Sequence, residues 1–369
     1  MITIRPGSQT WRLLHILVAT TEYPARSLHL LGSGRYYEAL IHRLETPQEF
    51  RSADGTVLGR FKVLNVSGRH EKRTIRLNKA ALPLLTHLHP DALDYYMAAS
   101  GGHRFSGNSD HILRNHRVAE SLVLCMASGA MALPYQLPPL QKSIIQHTVP
   151  TSPSFYIARE VKKLEKTELS KTIFTRLTGA LFSHGTCFAV YNTRDSVMKW
   201  SGMGEFKTAN HLTEVARALL LRQGNNVALT TLLSSANSRR MDLHFDRIYP
   251  HIHFIPMDRQ GVRQLRLLLQ PDWQEQLLSA LFPPELRLDT PGSIECDAKR
   301  GDILILSHLD GDLARLLRLK QALEHISAPV ELLCFPWQTP FLREYLGSRV
   351  QLRELTIEVL EEALDLDPL

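Results

Sequence analysis

Apolar residues in "GRYYEALIHRLE" recur at i, i+3, i+4 and i+7. Tyr37, Leu40, Ile41 and Leu44 therefore fall on one face, and the spacing predicts an amphipathic helix. Two shorter helical patterns precede it. "QTWRLLHILVAT" gathers Trp11, Leu14, Ile16, Leu17 and Val18 largely on one side, and "YPARSLHLL" carries Pro24 near a helix start. Gly32, Ser33 and Gly34 supply a tight turn before the third helix. The period then changes. "GRFKVLNV" and "RTIRL" are short β-type runs joined by "SGRHEK", which predicts a hairpin.

Three helices followed by a hairpin make a winged helix, expected over residues 1–100. The outer side of its third helix would present Arg35, Tyr36, Ala39, His42 and Arg43, residue types that can meet base edges and phosphates in a major groove. Around the hairpin, Lys62, Arg69, His70, Lys72, Arg73 and Arg76 stand against the single acid Glu71, a stripe able to neutralise phosphates in a salt-dependent way. The expected partner is double-stranded DNA. Protein contacts, including a homodimer, stay open because charge runs are commonly solvated faces. Just beyond, "THLHPDAL" sets His87, His89 and Asp91 in an HxHxD spacing similar to the metallo-β-lactamase metal signature. Ala92 follows where that signature has another histidine, so these read as surface histidines at a helix end.

A second region, residues 101–224, opens with a helical pattern in which Ile112, Val118, Ala119, Leu122 and Val123 share a face, ending at Gly129, with Ser109 or Asp110 as cap. Three strand-like runs follow, "AMALPYQL", "SIIQHTV" and "FYIAREV", then a predicted helix "SKTIFTRLTGALFS" and a strand "TCFAVYNT". On a strand, Glu160 and Lys162 would point to one face. The order α-β-β-β-α-β resembles the core of the PD-(D/E)xK nuclease superfamily. That resemblance implies a carboxylate at the end of the second strand and a Glu-x-Lys pair on the third, holding Mg²⁺ or Mn²⁺ beside a scissile phosphate.

The central aspartate is missing. No Asp or Glu lies between Ser121 and Arg159, and Pro150-Thr151 stands where the superfamily places Pro-Asp. Glu120 on the leading helix is the remaining acid that could join Glu160 and Lys162. An incomplete ligand set favours a nuclease-like body without cleavage, needing no cofactor, over a metal-dependent DNA nuclease using Glu120, Glu160 and Lys162. With "TIRLNKAALPLL", "NHRVAES" and "REVKK" in this order, roughly residues 10 to 200 resemble the replication-relaxation family of plasmids and conjugative elements. The resemblance implies a DNA-binding accessory protein of a mobile element, acting in plasmid replication, relaxation or transfer.

The remainder, residues 225–369, alternates strands and helices, so the chain as a whole is expected to be α/β or α+β with an α/β C-terminal region. "ILILSHLDGD" places His308, Asp310, Gly311 and Asp312 at the carboxyl end of a buried-type strand, where such folds hold ligands. A small-molecule hydrolase or nucleotide site there is the alternative, with Asp312 as a helix cap the plainer reading. His251 and His253 in "YPHIHF" lack a nearby acid in sequence and read as core or edge residues. The C-terminal "LRELTIEVLEEALDLDPL" is acidic and amphipathic; it can pack on the body, meet a partner or shield the basic surface.

Composition narrows little further. A chain of 369 residues with 44% hydrophobic content suits two or three folded domains, and a net charge of +6 permits nucleic-acid binding without placing it. The four cysteines are widely spaced and form no CxxC pair, arguing against a zinc ribbon or a disulfide framework. The N-terminus has no signal-peptide pattern and the longest apolar run is interrupted by Ser, Gly and Pro, so a cytoplasmic protein without a membrane span is expected.

Overall fold

The computed structural model describes residues 1–105, 107–140, 152–163, 176–184, 186–196, 212, 228–234, 250–288 and 295–367. Among these it is a mixed α/β molecule with four small sheets. The first element, β1 (Ile2–Thr3), leads into α1 (Gln9–Thr20). Ser8 caps α1 by accepting from the Trp11 amide, and Thr21 ends it in the left-handed region, its amide donating to the Leu17 carbonyl. After β2 (Glu22–Pro24) comes a 3₁₀ segment, Ala25–Leu30, and then α2 (Gly34–Leu44), which buries Tyr37, Leu40, Ile41 and Leu44 as its spacing requires.

The following strands separate into two sheets. β3 (Gln48–Arg51) and β4 (Val57–Phe61) form a hairpin edged by β1, whereas β5 (Leu64–Ser67) and β6 (Thr74–Leu77) pair antiparallel, with β2 on the far side of β6. The run "GRFKVLNV", expected as one strand, is thus divided between sheets: Lys62 and Val63 separate β4 from β5, and the Val63 amide and carbonyl bond to Leu44 and Asn78. A further 3₁₀ segment, Lys79–His87, and α3 (Ala92–Ala99) close this part.

The long helix α4 (Ser109–Ala127), capped by Asn108, is the central strut. It packs on α1 and β2 at one side and on the five-stranded sheet at the other. That sheet has the order β11-β10-β9-β8-β7. β7 (Ser154–Ile157), β8 (Leu177–Ser183) and β9 (Thr186–Arg194) pair antiparallel in succession; β10 (Ala228–Ser234) is parallel to β9, and β11 (Ile252–Pro256) is parallel to β10.

Three expectations are corrected here. "FYIAREV" is not one strand: after β7 the chain turns into a short helix, α5 (Ala158–Lys162), so Glu160 and Lys162 do not share a strand face. Its apolar residues explain this, since Ala158 and Val161 are both buried three positions apart, a helical interval. "LTGALFS" within the predicted helix is instead β8, buried along its whole length, a pattern from which periodicity cannot distinguish strand from helix. Gly179 is required there, because a Cβ would lie 2.4 Å from the Phe155 ring and 2.5 Å from the Tyr156 carbonyl. "AMALPYQL" is no strand, contributing one bridge between Met131 and Ser154. "SIIQHTV" and Thr151 lie outside the described residues.

Beyond β11, α6 (Arg259–Leu268) packs on α4, and α7 (Trp273–Leu281) follows. A four-stranded sheet, β12-β13-β14-β15, completes the chain, with β12 (Ala298–Arg300) antiparallel to β13 (Ile303–Ser307), and β13, β14 (Val330–Cys334) and β15 (Val350–Glu354) parallel. Its helices are α8 (Leu313–Ala322), α9 (Thr339–Leu346) and α10 (Ile357–Ala363). One apolar cluster runs from Ile2 to Leu360, and a smaller one lies beneath α8 and α9. The acidic tail packs on the body: Arg263 of α6 pairs with Glu358 at 2.5 Å and with Glu361. No helix among the described residues is long and apolar enough to cross a membrane.

Candidate functional sites

Arg35, Tyr36, Ala39, His42 and Arg43 all lie on the exposed side of α2, opposite its four buried residues. Glu38 is exposed with them. In the β5–β6 hairpin, Arg69, His70, Lys72 and Arg73 are exposed, while Glu71 is drawn to Arg26 at 3.3 Å. Lys72 Nζ donates to Ser109 Oγ at 2.8 Å, so the hairpin leans on the start of α4. Arg76 does not belong to this surface. Its guanidinium pairs with the buried Glu22 at 2.6 Å and lies 4.6 Å from the Phe105 ring centroid, a structural contact rather than a free cation.

Among the described residues, Glu120 and Glu160, which the sequence placed in one constellation, have no hydrogen-bond partner in common. Glu160 accepts from the Tyr95 hydroxyl at 3.0 Å and pairs with Lys163 at 2.6 Å. Lys162 lines a cavity to which neither Glu120 nor Glu160 contributes. His89 and Asp91 approach only to 3.8 Å, and among the described residues no group of three or more His, Cys, Asp or Glu is placed to hold a metal.

Glu120 instead meets residues that sequence reasoning passed over. Arg194, at the end of β9, donates Nε to Oε2 at 2.8 Å and Nη2 to Oε1 at 2.9 Å. Asn192 donates to Oε2 at 2.9 Å, and Ser27 donates to Oε1 at 2.5 Å. Four hydrogen bonds, two of them from the Arg194 guanidinium, fill the roughly four lone-pair positions of a carboxylate, leaving none for a metal ion. Beside them, Ser121 donates to the Thr178 hydroxyl of β8 at 2.9 Å. His116, one turn before Glu120, is pushed down to about 3, first by burial and then by the Arg194, Arg26 and Arg76 guanidinium groups. Asn192 and Arg194 were legible in principle: "YNTR" ends a strand with an x-spaced polar pair, the same interval as Glu-x-Lys.

At the carboxyl end of β13 the structure supplies the acid partners that His251 and His253 lacked in sequence. Asp312 accepts from the amides of Ala314 and Arg315 as the cap of α8, and its other oxygen takes His251 Nδ1 at 2.8 Å. His253 Nδ1 is 3.1 Å from the Asp310 carbonyl, while its Nε2 is buried without a partner. Burial raises the pKa of Asp310, and Asp312 adds to this; Asp312 itself is held well below the usual carboxylate range, where the His251 bond and both histidine charges outweigh its own burial. Burial pushes His308 down to about 4. His251, Asp310 and Asp312, though not His253 or His308, border a cavity of about 320 Å³ that is also lined by Trp273, Leu277, Leu278, Leu288, Asp297, Ser307 and Arg315.

No family model matches the chain, and neither the curated proteins nor the solved structures compared with it include a match.

Proposed function

We propose that this chain is a non-cleaving DNA-binding accessory protein of a mobile element, acting in plasmid replication, relaxation or transfer. In this reading residues 1–100 form a winged helix, with α2 entering the major groove and the β5–β6 hairpin flanking the backbone. The observation that carries it is the joint exposure of Arg35, Tyr36, His42 and Arg43 on α2 and of Arg69, Lys72 and Arg73 on the hairpin. The pairing of β6 with both β5 and β2 supports the winged-helix assignment.

The middle region is read as a nuclease-like body whose chemistry is shifted relative to the sequence expectation. Helix α4, the antiparallel β7, β8 and β9, and then β10 parallel to β9 support this reading, with α5 an addition between β7 and β8 and most of the segment between β9 and β10 outside the described residues. With this alignment Glu120 remains the helix acid, Thr178 falls on the second strand, and Asn192-x-Arg194 takes the place of Glu-x-Lys. A guanidinium then occupies the carboxylate that a metal would need, and Mg²⁺ or Mn²⁺ does not fit the residues present.

Gel retardation with random duplexes tests the binding. Replacing Arg35, Arg43, Arg69 and Arg73 by Gln is expected to lower affinity about a hundredfold and to make the slope of log K against log salt shallower by about 3 to 4. Unchanged retardation would sink the winged-helix reading. Metal-stimulated nicking by the same preparation would sink the non-cleaving half.

A second reading, a small-molecule hydrolase or nucleotide site at residues 308–312, has its own support in the concave pocket at that strand tip.

A further inference from the structure

The cavity at the carboxyl end of β13 has a polarity that the small-molecule reading leaves unspecified. Its volume of about 320 Å³ lies at the small end of the range of about 300 to 1,000 Å³ that ligand pockets span. Trp273, Leu277, Leu278 and Leu288 give it an apolar lining that includes an indole ring. Among the described residues, its charged lining sets four acids, Glu295, Asp297, Asp310 and Asp312, against the Arg315 guanidinium and the titratable His251.

Three of the four acids are engaged. One oxygen of Asp312 accepts the Ile252, Ala314 and Arg315 amides, at 3.1, 3.0 and 3.3 Å, and the other meets His251 Nδ1. Asp297 accepts the Ser307 amide and Arg315 Nη2, both at 2.6 Å, and Arg315 also donates to the Glu295 and Ser307 carbonyls. The more exposed Glu295 carboxylate takes Arg318 at 2.8 Å. Asp310 differs. One of its oxygens accepts the Asp312 amide at 3.1 Å, whereas the other has no hydrogen-bond partner among the described residues. His253 Nδ1 stays 3.9 Å from that oxygen because it bonds the Asp310 carbonyl instead. The Ser307 hydroxyl, on a residue only 4% exposed, is likewise buried without a partner beside the same cavity.

An acceptor with open lone pairs, a hydroxyl that can accept, an indole and an excess of acids together select a ligand that donates hydrogen bonds and carries positive charge. A phosphate or carboxylate would meet the same acids as repulsion. Burial raises the Asp310 pKa, and an ammonium arriving beside the carboxyl favours its ionised form, offsetting that penalty. We infer that this cavity binds an organic ammonium, a primary amine on a small apolar or aromatic body, with Asp310 as counter-ion and Ser307 as a second hydrogen-bond partner. The inference rests on the small-molecule reading of residues 308–312, narrows it against nucleotides, and is independent of DNA binding.

The test uses the full chain and titration calorimetry with four probes: 2-phenylethylamine, the neutral 2-phenylethanol, the anionic 3-phenylpropionate and adenosine monophosphate. Wild-type protein is expected to bind the amine about tenfold or more tighter than the alcohol, the margin of a charge-assisted hydrogen bond, and to bind neither anion. Asp310→Asn should remove that margin and leave the affinity for the alcohol unchanged. Should this variant unfold, the ratio of amine to alcohol on wild type decides alone. Equal binding of amine and alcohol, tighter binding of either anion, or an amine affinity that Asp310→Asn leaves intact overturns the ammonium inference while keeping a small-molecule pocket. Absence of binding by all four probes removes the inference and the pocket reading beneath it.

Discussion

Glu120 on α4 and Asp310 after β13 are both buried carboxylates at 1% and 8% exposure, yet their surroundings have opposite consequences. Around Glu120, two bonds from Arg194 and one each from Asn192 and Ser27 satisfy the group and fill the space. Around Asp310, one oxygen accepts the Asp312 amide, the other lies 3.9 Å from His253 Nδ1, and a cavity opens beside it. An acid at a suggestive position is therefore no measure of reactivity. The donors that meet it decide whether it is a strut or an open site.

The sharpest way to break this contrast is Glu120→Ala. Removing the carboxylate leaves the Arg194 guanidinium buried without its counter-charge, and a loss of about 3 to 5 kcal/mol in unfolding free energy is expected. Urea denaturation measures it; a loss below about 1 kcal/mol would show that the pair is not the strut described here.

A somewhat smaller effect is expected from pH at the other cluster. Burial pushes the His308 pKa down from the ordinary imidazole value to about 4, so the group is neutral in the folded chain. The unfolded chain takes up the proton first as pH falls, so this contribution is complete above about pH 7 and declines from about pH 6.5 toward pH 4. Its full size is about 3 kcal/mol. Urea midpoints at pH 7.5, 5.5 and 4.5 should decline more steeply for wild type than for His308→Leu. Parallel profiles would rule out a buried neutral imidazole.

The smallest effect sharpens the comparison directly. Because burial favours the protonated form of Asp310, Asp310→Asn keeps the shape and an acceptor for the Asp312 amide, and unfolding free energy at pH 7 should change by no more than about 1 kcal/mol. A loss as large as that of Glu120→Ala would erase the distinction between the two acids.

Much of the local structure could be read from pattern. Helix α2 follows from four apolar positions at helical spacing, and α4 and the strand β13 appear where the apolar runs put them. The misreadings have specific causes. "AREVK" looked like a strand end because it follows "FYI", but the burial of Ala158 and Val161 three residues apart winds it into a helix. "LTGALFS" is apolar throughout, and only its pairing with β7 and β9 makes it a strand. Arg76 looked like any other base of the hairpin until Glu22, 54 residues away, claimed it.

What the sequence determined by itself was the strongly periodic helices, the exposed cations of α2 and the hairpin, and the supply of acids and histidines, because periodicity, turn residues and composition are local properties of the chain. Which of those charges are spent and which stand open was decided only by tertiary structure. Glu120 meets Arg194 across 74 residues, and Glu22 meets Arg76 across 54. Charge pairing depends on distance through space and on exclusion of water, and neither quantity is written in the order of residues.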